Sequence, residues 1–194
     1  MGRHREFDVQ EVLDAALDVF WQKGYEGASY ADLTSATGVE RPGLYSAFGN
    51  KESLFKQALE RYYDHYLAFF PAALELPTSK EVVKDILFKS IEVNTRNPDR
   101  RGCLGIQGAL AVSDSSEPVR LAVVEARAKG ESILRERLER ARDDGDLPAS
   151  ADCSALASYV CAVLHGMAVQ AKAGFSKEKL EAVATQAIDS WPSN

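Results

Sequence analysis

The chain has 194 residues, 45% hydrophobic and 27% charged, a composition that excludes a disordered or fibrous polymer and suits one globular domain or a small module fused to a larger one. Its net charge of −6 weighs against a general polyanion binder, and the first sixty residues are also acidic, with ten carboxylates against six Lys or Arg. Cys103, Cys153 and Cys161 are not spaced as a zinc site and suit free thiols in a reducing compartment.

No apolar stretch reaches the length expected of a membrane span, and Met1 to Asp8 lack the apolar core of a signal peptide, so a cytoplasmic location is expected. Leu13, Ala16, Leu17 and Phe20 recur at helical spacing. Asp8 with Glu11 forms a capping pair for this helix, Phe7 and Val12 are placed as a hydrophobic staple, and Gly24 ends it. A short helix starts at Ser29, with Asp32 as its capping partner, and stops at Gly38. A third runs from Arg41 to about Phe48, with Pro42 in the first turn, where its missing N–H costs little. Gly49 breaks the chain, Asn50 caps, and a longer helix is predicted from Lys51 toward Phe70, closed by Pro71.

Beyond Pro77 every strong segment again has helical periodicity. Ser79 opens a helix that ends near Asn97-Pro98, and a short apolar one spans Cys103 to Val112. A long, charge-rich helix runs from Glu117-Pro118 to Gly145, another from Ala151 to Ala173, and a last from Lys177 to Trp191. No strand alternation competes, so the fold class is all-α.

Two short helices separated by Gly38-Val39-Glu40 have the spacing of a helix-turn-helix, whose second helix enters the major groove of DNA. The wording sharpens this. Gly24-Tyr25, Ser29-Tyr30-Ala31-Asp32-Leu33, Ala36-Thr37-Gly38-Val39 and Leu44-Tyr45-Ser46-Ala47-Phe48-Gly49-Asn50-Lys51-Glu52-Ser53-Leu54-Phe55 closely resemble the head of the TetR family. The resemblance covers roughly residues 8 to 56. It implies about nine helices: an N-terminal three-helix helix-turn-helix DNA-binding domain over residues 1–50, and a helical ligand-binding and dimerisation domain over residues 51–194. It also implies a dimeric transcription regulator, usually a repressor, released from a near-palindromic double-stranded operator by a small-molecule effector.

Chemistry and resemblance together assign roles. Arg41 stands where a guanidinium reaches a guanine edge or a phosphate. Tyr45 matches a tyrosine that bonds the DNA backbone, and Lys51 starts a helix whose N–H groups and charge suit one phosphate. Ser29 is a second phosphate candidate, and Arg3, His4 and Arg5 form a short basic arm suited to the minor groove. Each has a plainer reading as a solvated charge, a core ring or a helix cap. Glu40 replaces a common Ser or Thr and weakens a cap, while Gly43 replaces a small hydroxyl residue and is expected to let the helix backbone approach DNA.

In the body, Tyr62, Tyr66 and Phe69 share one helix face and are expected to line a pocket, with Cys103, Gln107 and His165 as further candidates. Tyrosines in an apolar site suit an uncharged or aromatic ligand. Cys103 near a helix N-terminus is either a thiol of lowered pKa or an inert buried one. The glycines from Gly102 to Gly108 follow no strand, which excludes a dinucleotide loop, and Cys161 with His165 lacks companions for a metal site. No cofactor is expected. Small residues Ala157, Ala162, Gly166 and Ala168, with Leu180, Val183, Ala184, Ala187 and Ile188, suggest a homodimer through the last two helices. Its two recognition helices would lie about 34 Å apart. No nucleophile elbow, phosphate loop or complete metal set supports an enzyme; the competing class is an interaction scaffold whose acidic head has lost DNA affinity.

Overall fold

The computed structural model describes residues 7–107, 113 and 116–192, and among them every regular element is helical. These elements are α1 (Val9–Gly27), α2 (Tyr30–Thr37), α3 (Arg41–Phe48), α4 (Lys51–Tyr66), α5 (Phe69–Leu74), α6 (Ser79–Thr95), a 3₁₀ turn at Pro98–Arg100, α7 (Leu104–Gln107), α8 (Glu117–Asp143), α9 (Cys153–Lys172) and α10 (Lys177–Asp189). The basic arm of Arg3, His4 and Arg5, and the far half of the helix expected up to Val112, lie outside the described residues.

The head forms as its caps dictate. Asp8 accepts a bond from Gln10 N at 2.7 Å, and Ser29 and Asp32 cap α2 reciprocally. Gly38 ends α2 in the left-handed region at φ 67°, the conformation that lets the chain reverse into α3. Glu40 makes no side-chain cap bond, as its replacement of a hydroxyl residue leads one to expect. Leu17, Phe20, Leu33 and Phe55 are fully buried together, each contributing about 1.5–3 kcal/mol of apolar burial. Phe55, Ala58, Leu59 and Tyr62 place the inner face of α4 in this same core.

One helix expected from the sequence is two. α4 stops at Tyr66 and the chain turns through Leu67 and Ala68 before α5. The cause is Pro71: in a continuous helix its ring would strike the carbonyl of residue 67, whereas in the first turn of a new helix its missing N–H is not needed. The turn separates Phe69 from the face of Tyr62 and Tyr66. In α6 the cap is Thr78 rather than Ser79, paired with Glu81 in a reciprocal box.

The body core gathers residues of α5, α6, α8, α9 and α10, including Ile86, Leu87, Leu134, Leu138 and Leu180. Arg137 is buried because its guanidinium donates to the carbonyls of Leu74, Leu76 and Pro77, closing the end of α5. Contrary to the expectation from sequence, α9 is long and apolar enough to cross a membrane by length and composition. Ala157 and Ala168 of α9 and Leu180, Ala184, Ala187 and Ile188 of α10 face this chain's own core. Ala155, Tyr159, Ala162, Gly166 and Val169 form an outward stripe at helical spacing, and Val183 is exposed beside them in sequence on α10.

Head and body are joined by one buried bond and a ring of polar ones. Trp21 Nε1 of α1 donates to Gly102 O at 2.7 Å, and its ring packs edge-on against Tyr62 and Tyr66 at 4.8 and 4.7 Å. Lys172 of α9 donates to Gln22 O at 2.9 Å, while Asp18 pairs with Arg100 and Glu26 accepts from Ser113 and Ser116. Trp21→Phe keeps an aromatic ring but strands the buried Gly102 carbonyl. We expect urea unfolding to show a loss of about 1–3 kcal/mol.

Candidate functional site

On α3, Gly43, Leu44 and Phe48 face inward while Arg41, Pro42, Tyr45 and Ser46 are exposed. Gly43 is therefore packed into the head rather than laid open at the outer surface. The exposed face is pre-ordered by a small polar network. Arg41 Nη2 donates to Tyr45 Oη at 3.1 Å, and Tyr30 Oη donates to the same oxygen at 2.8 Å. The Arg41 guanidinium also lies 3.9 Å from the Tyr30 ring centre, a cation–π contact. Its hydrogen bond to Tyr45 holds that phenol below the ordinary 10, while burial raises the Tyr30 phenol. Tyr30, quoted in the motif but given no role from sequence, thus organises both expected contact residues.

The start of α4 is tied to the same network. Lys51 N donates to Tyr30 Oη at 3.2 Å and Ser53 N to the Asn50 cap at 2.8 Å, leaving Glu52 as the first-turn N–H without such a partner among the described residues. The Lys51 ammonium rests 4.5 Å from the Tyr25 ring centre, and burial lowers its pKa. Ser29 is exposed, but its hydroxyl is engaged with Asp32 on both sides.

The acidic head is less acidic than its composition. Asp14 pairs with Arg61 and Asp18 with Arg100, cations drawn from outside the first sixty residues. Asp32 pairs with Lys23, Glu52 with Lys56, and Glu26 is spent on the two serines before α8. These surface pairs contribute little stability. Their effect is to offset two of the α1 carboxylates, while Arg41 on α3 makes no ion pair among the described residues.

Behind the head lies a cavity of about 430 Å³, walled by α4, α5, α6, α7, α8 and α9. Of the six pocket candidates, Tyr62, Phe69, Cys103 and His165 line it. Tyr66 does not: it turns toward α1, meets Trp21 edge-on, and accepts a bond from Arg100 at 3.3 Å. Gln107 does not line it either, because its amide donates to Arg101 O at 3.2 Å on the far side of α7. Cys103 has a raised rather than lowered pKa, since burial outweighs the bonds it receives from Tyr62 and the α7 backbone. Tyr63, Asn94 and Arg127 also line the cavity, though none was singled out from sequence. A Cβ on Gly105 would fall 2.8 Å from Tyr63 Oη, so a larger residue there would displace that hydroxyl.

A three-helix head with a pre-ordered outer helix, set on a helical body that holds an internal cavity, is the build of a helix-turn-helix, DNA-binding transcription regulator. Residues 12–58 match the model of the bacterial regulatory proteins, tetR family, and residues 72–187 match that of the tetracyclin repressor-like C-terminal domain. ComR of Escherichia coli strain K12, an HTH-type transcriptional repressor, is 33% identical over 193 residues, spanning 98% of this chain and 92% of its own. YezE of Bacillus subtilis strain 168, an HTH-type transcriptional regulator, is 37% identical over 164 residues, 82% and 84% of the two chains. A solved structure of CifR with cysteine substitutions, bound to 26-bp double-strand operator DNA, superposes with a TM-score of 0.94 at 40% identity over 98% of this chain and 100% of that one. The chain belongs to the TetR family of bacterial transcription regulators.

His165 reports on the cavity's environment. Burial and the Arg127 charge hold its pKa down to about 4, against an opposing pull from Glu131. Between the ordinary 6.5 and about 4, the unfolded chain binds a proton here that the folded chain refuses, so stability falls as pH falls through that window. Depressed carboxylates such as Glu26, at about 2, act only below the ordinary 4.5. Thermal unfolding of His165→Gln should therefore lose less of its midpoint between about pH 6.5 and pH 5 than the unaltered protein does. Equal slopes would mean that this ring is protonated in the fold.

Proposed function

We propose that the protein is a ligand-responsive repressor that binds a near-palindromic operator as a homodimer and is released when a small molecule fills the cavity. It acts by binding rather than by catalysis, in the cytoplasm. The observation that carries the reading is a shared wall. Tyr62 and Cys103 line the cavity, while Tyr62 and the neighbouring Gly102 carbonyl both engage Trp21 of α1. Displacing that wall shifts α1, and with it the seat of α2 and α3. A ligand changes operator affinity only by its preference for one head arrangement.

The outward stripe of α9 supports the dimer. Tyr159 and Val169 are 41% and 47% exposed with small residues between them, so two copies can approach closely there. That partner also gives a reason for the apolar outer face of α9. Ala162→Arg places a charge on the stripe without disturbing the chain's own core. It should convert the dimer to a monomer by sedimentation velocity and abolish high-affinity operator binding while thermal unfolding stays cooperative.

Operator binding is tested on a labelled fragment from upstream of the protein's own gene, with scrambled competitor and a salt series. Specific binding should weaken steeply as salt rises. Lys51→Ala should cost affinity on every sequence and reduce the salt slope by about 1. Arg41→Ala should also relax base preference, because its guanidinium sits at the start of the recognition helix. Failure on this fragment and on a selected random library, at all salts, would leave the body as the functional part.

A further inference from the structure

Two pairs of the cavity's polar groups satisfy each other, Tyr62 with Cys103 and Arg127 with His165, while others have no partner among the described residues. Much of the remaining wall is apolar and aromatic, from Phe69, Phe70, Ile86, Ile106 and Leu164. Arg127 of α8 makes no ion pair within the described residues. Glu131, one helical turn further on, is instead held by Ser158 Oγ. The partner Arg127 does have is neutral: Nη2 lies 2.9 Å from His165 Nδ1. A guanidinium is always a donor, so Nδ1 carries the lone pair and the ring's proton sits on Nε2. Asn94 is only 5% exposed and lines the same cavity, yet its side-chain amide has no hydrogen-bond partner among the described residues. The Tyr63 hydroxyl is in the same position, and the Arg127 charge reaches it.

Arg127 presents a half-buried charge to the cavity without an ion pair, and the Asn94 amide opens onto the same space, so an anion can meet both at once. We infer that the cavity binds a small organic monocarboxylate, its carboxylate on Arg127 with Tyr63 and Asn94 as further polar partners, and its aromatic or aliphatic body against Phe69, Phe70 and Ile106. This rests on the ligand-release reading above and names the chemical class of the effector. It adds a negative charge to the uncharged or aromatic ligand expected from the tyrosines alone. A doubly charged phosphate fits less well: Arg127 is one charge, Glu131 stands one turn away, and exposed Lys129 is balanced by exposed Asp64.

The test compares acids with their own amides on the full-length protein by isothermal titration at neutral pH: phenylacetate, 3-phenylpropionate and hexanoate, each against its primary amide. At least one acid should bind tighter than its amide by about 10-fold or more. Arg127→Gln should weaken that acid by about 10- to 100-fold and the amide by much less, so the acid–amide ratio falls toward about 1. Acids and amides of equal affinity, or amides alone binding, would overturn the inference and leave ligand release standing with a neutral effector. No binding by any acid up to about 10 mM would overturn it as well. An acid that binds through Arg127 yet leaves operator affinity unaltered would support the cavity chemistry and refute the release mechanism. The acid–amide contrast needs no variant, so it decides the matter even if Arg127→Gln fails to fold.

Discussion

The indole N–H of Trp21 is paired by an acceptor from outside the head's own helices, the Gly102 carbonyl. That single buried bond sets much of the molecule's geometry. A buried donor without a partner costs more than the bond contributes, so α1 cannot slide on the body without replacing it. The segment before α7 must hold Gly102 in position, which it does through Gly102 N donating to Asn94 O at 3.0 Å. Asn94 thereby belongs to both the joint and the cavity: its backbone holds the acceptor of the Trp21 bond, and its side chain lines the space behind.

What the sequence disclosed followed from local rules. Caps, turn glycines and apolar spacing act over three or four residues, and they placed the start of α1, the short α2 and α3, and the start of α4 where the structure has them; α1 itself kinks at Gly24, where it was expected to end, and continues to Gly27. The outward positions of Arg41 and Tyr45 followed from the same periodicity. What stayed hidden depends on distant partners. Nothing near Tyr66 in the chain announces that Trp21 and Arg100 will claim it, and nothing near Gln107 announces Arg101's carbonyl across a turn. Arg127 was the hardest to see, because in a helix as charged as α8 it reads as one more solvated cation. Only the fold turns it toward His165.

The Pro71 break shows a local rule applied one turn too late. Proline was expected to stop a helix where it stands, but its ring acts on the carbonyl four residues earlier. The consequence is functional. With α4 ending at Tyr66, the short α5 turns Phe69 and Phe70 into the cavity wall from a separate direction. A straight helix would have carried them past it.

The charge problem resolves along similar lines. Counting carboxylates over the first sixty residues treats the head as a free body. In the fold, Arg61 and Arg100 are brought onto α1, so two of its carboxylates are offset by the very elements that anchor it. This has an energetic corollary for the proposed switch. The pairs of Asp14 with Arg61 and Asp18 with Arg100 are partly exposed and individually weak, so they can be exchanged for water at small cost. Allosteric coupling between two sites typically amounts to about 1–3 kcal/mol. A joint made of one buried bond and two weak ion pairs suits a coupling of that size, and under the proposed switch a ligand pressing on Tyr62 and Tyr63 selects a second head arrangement.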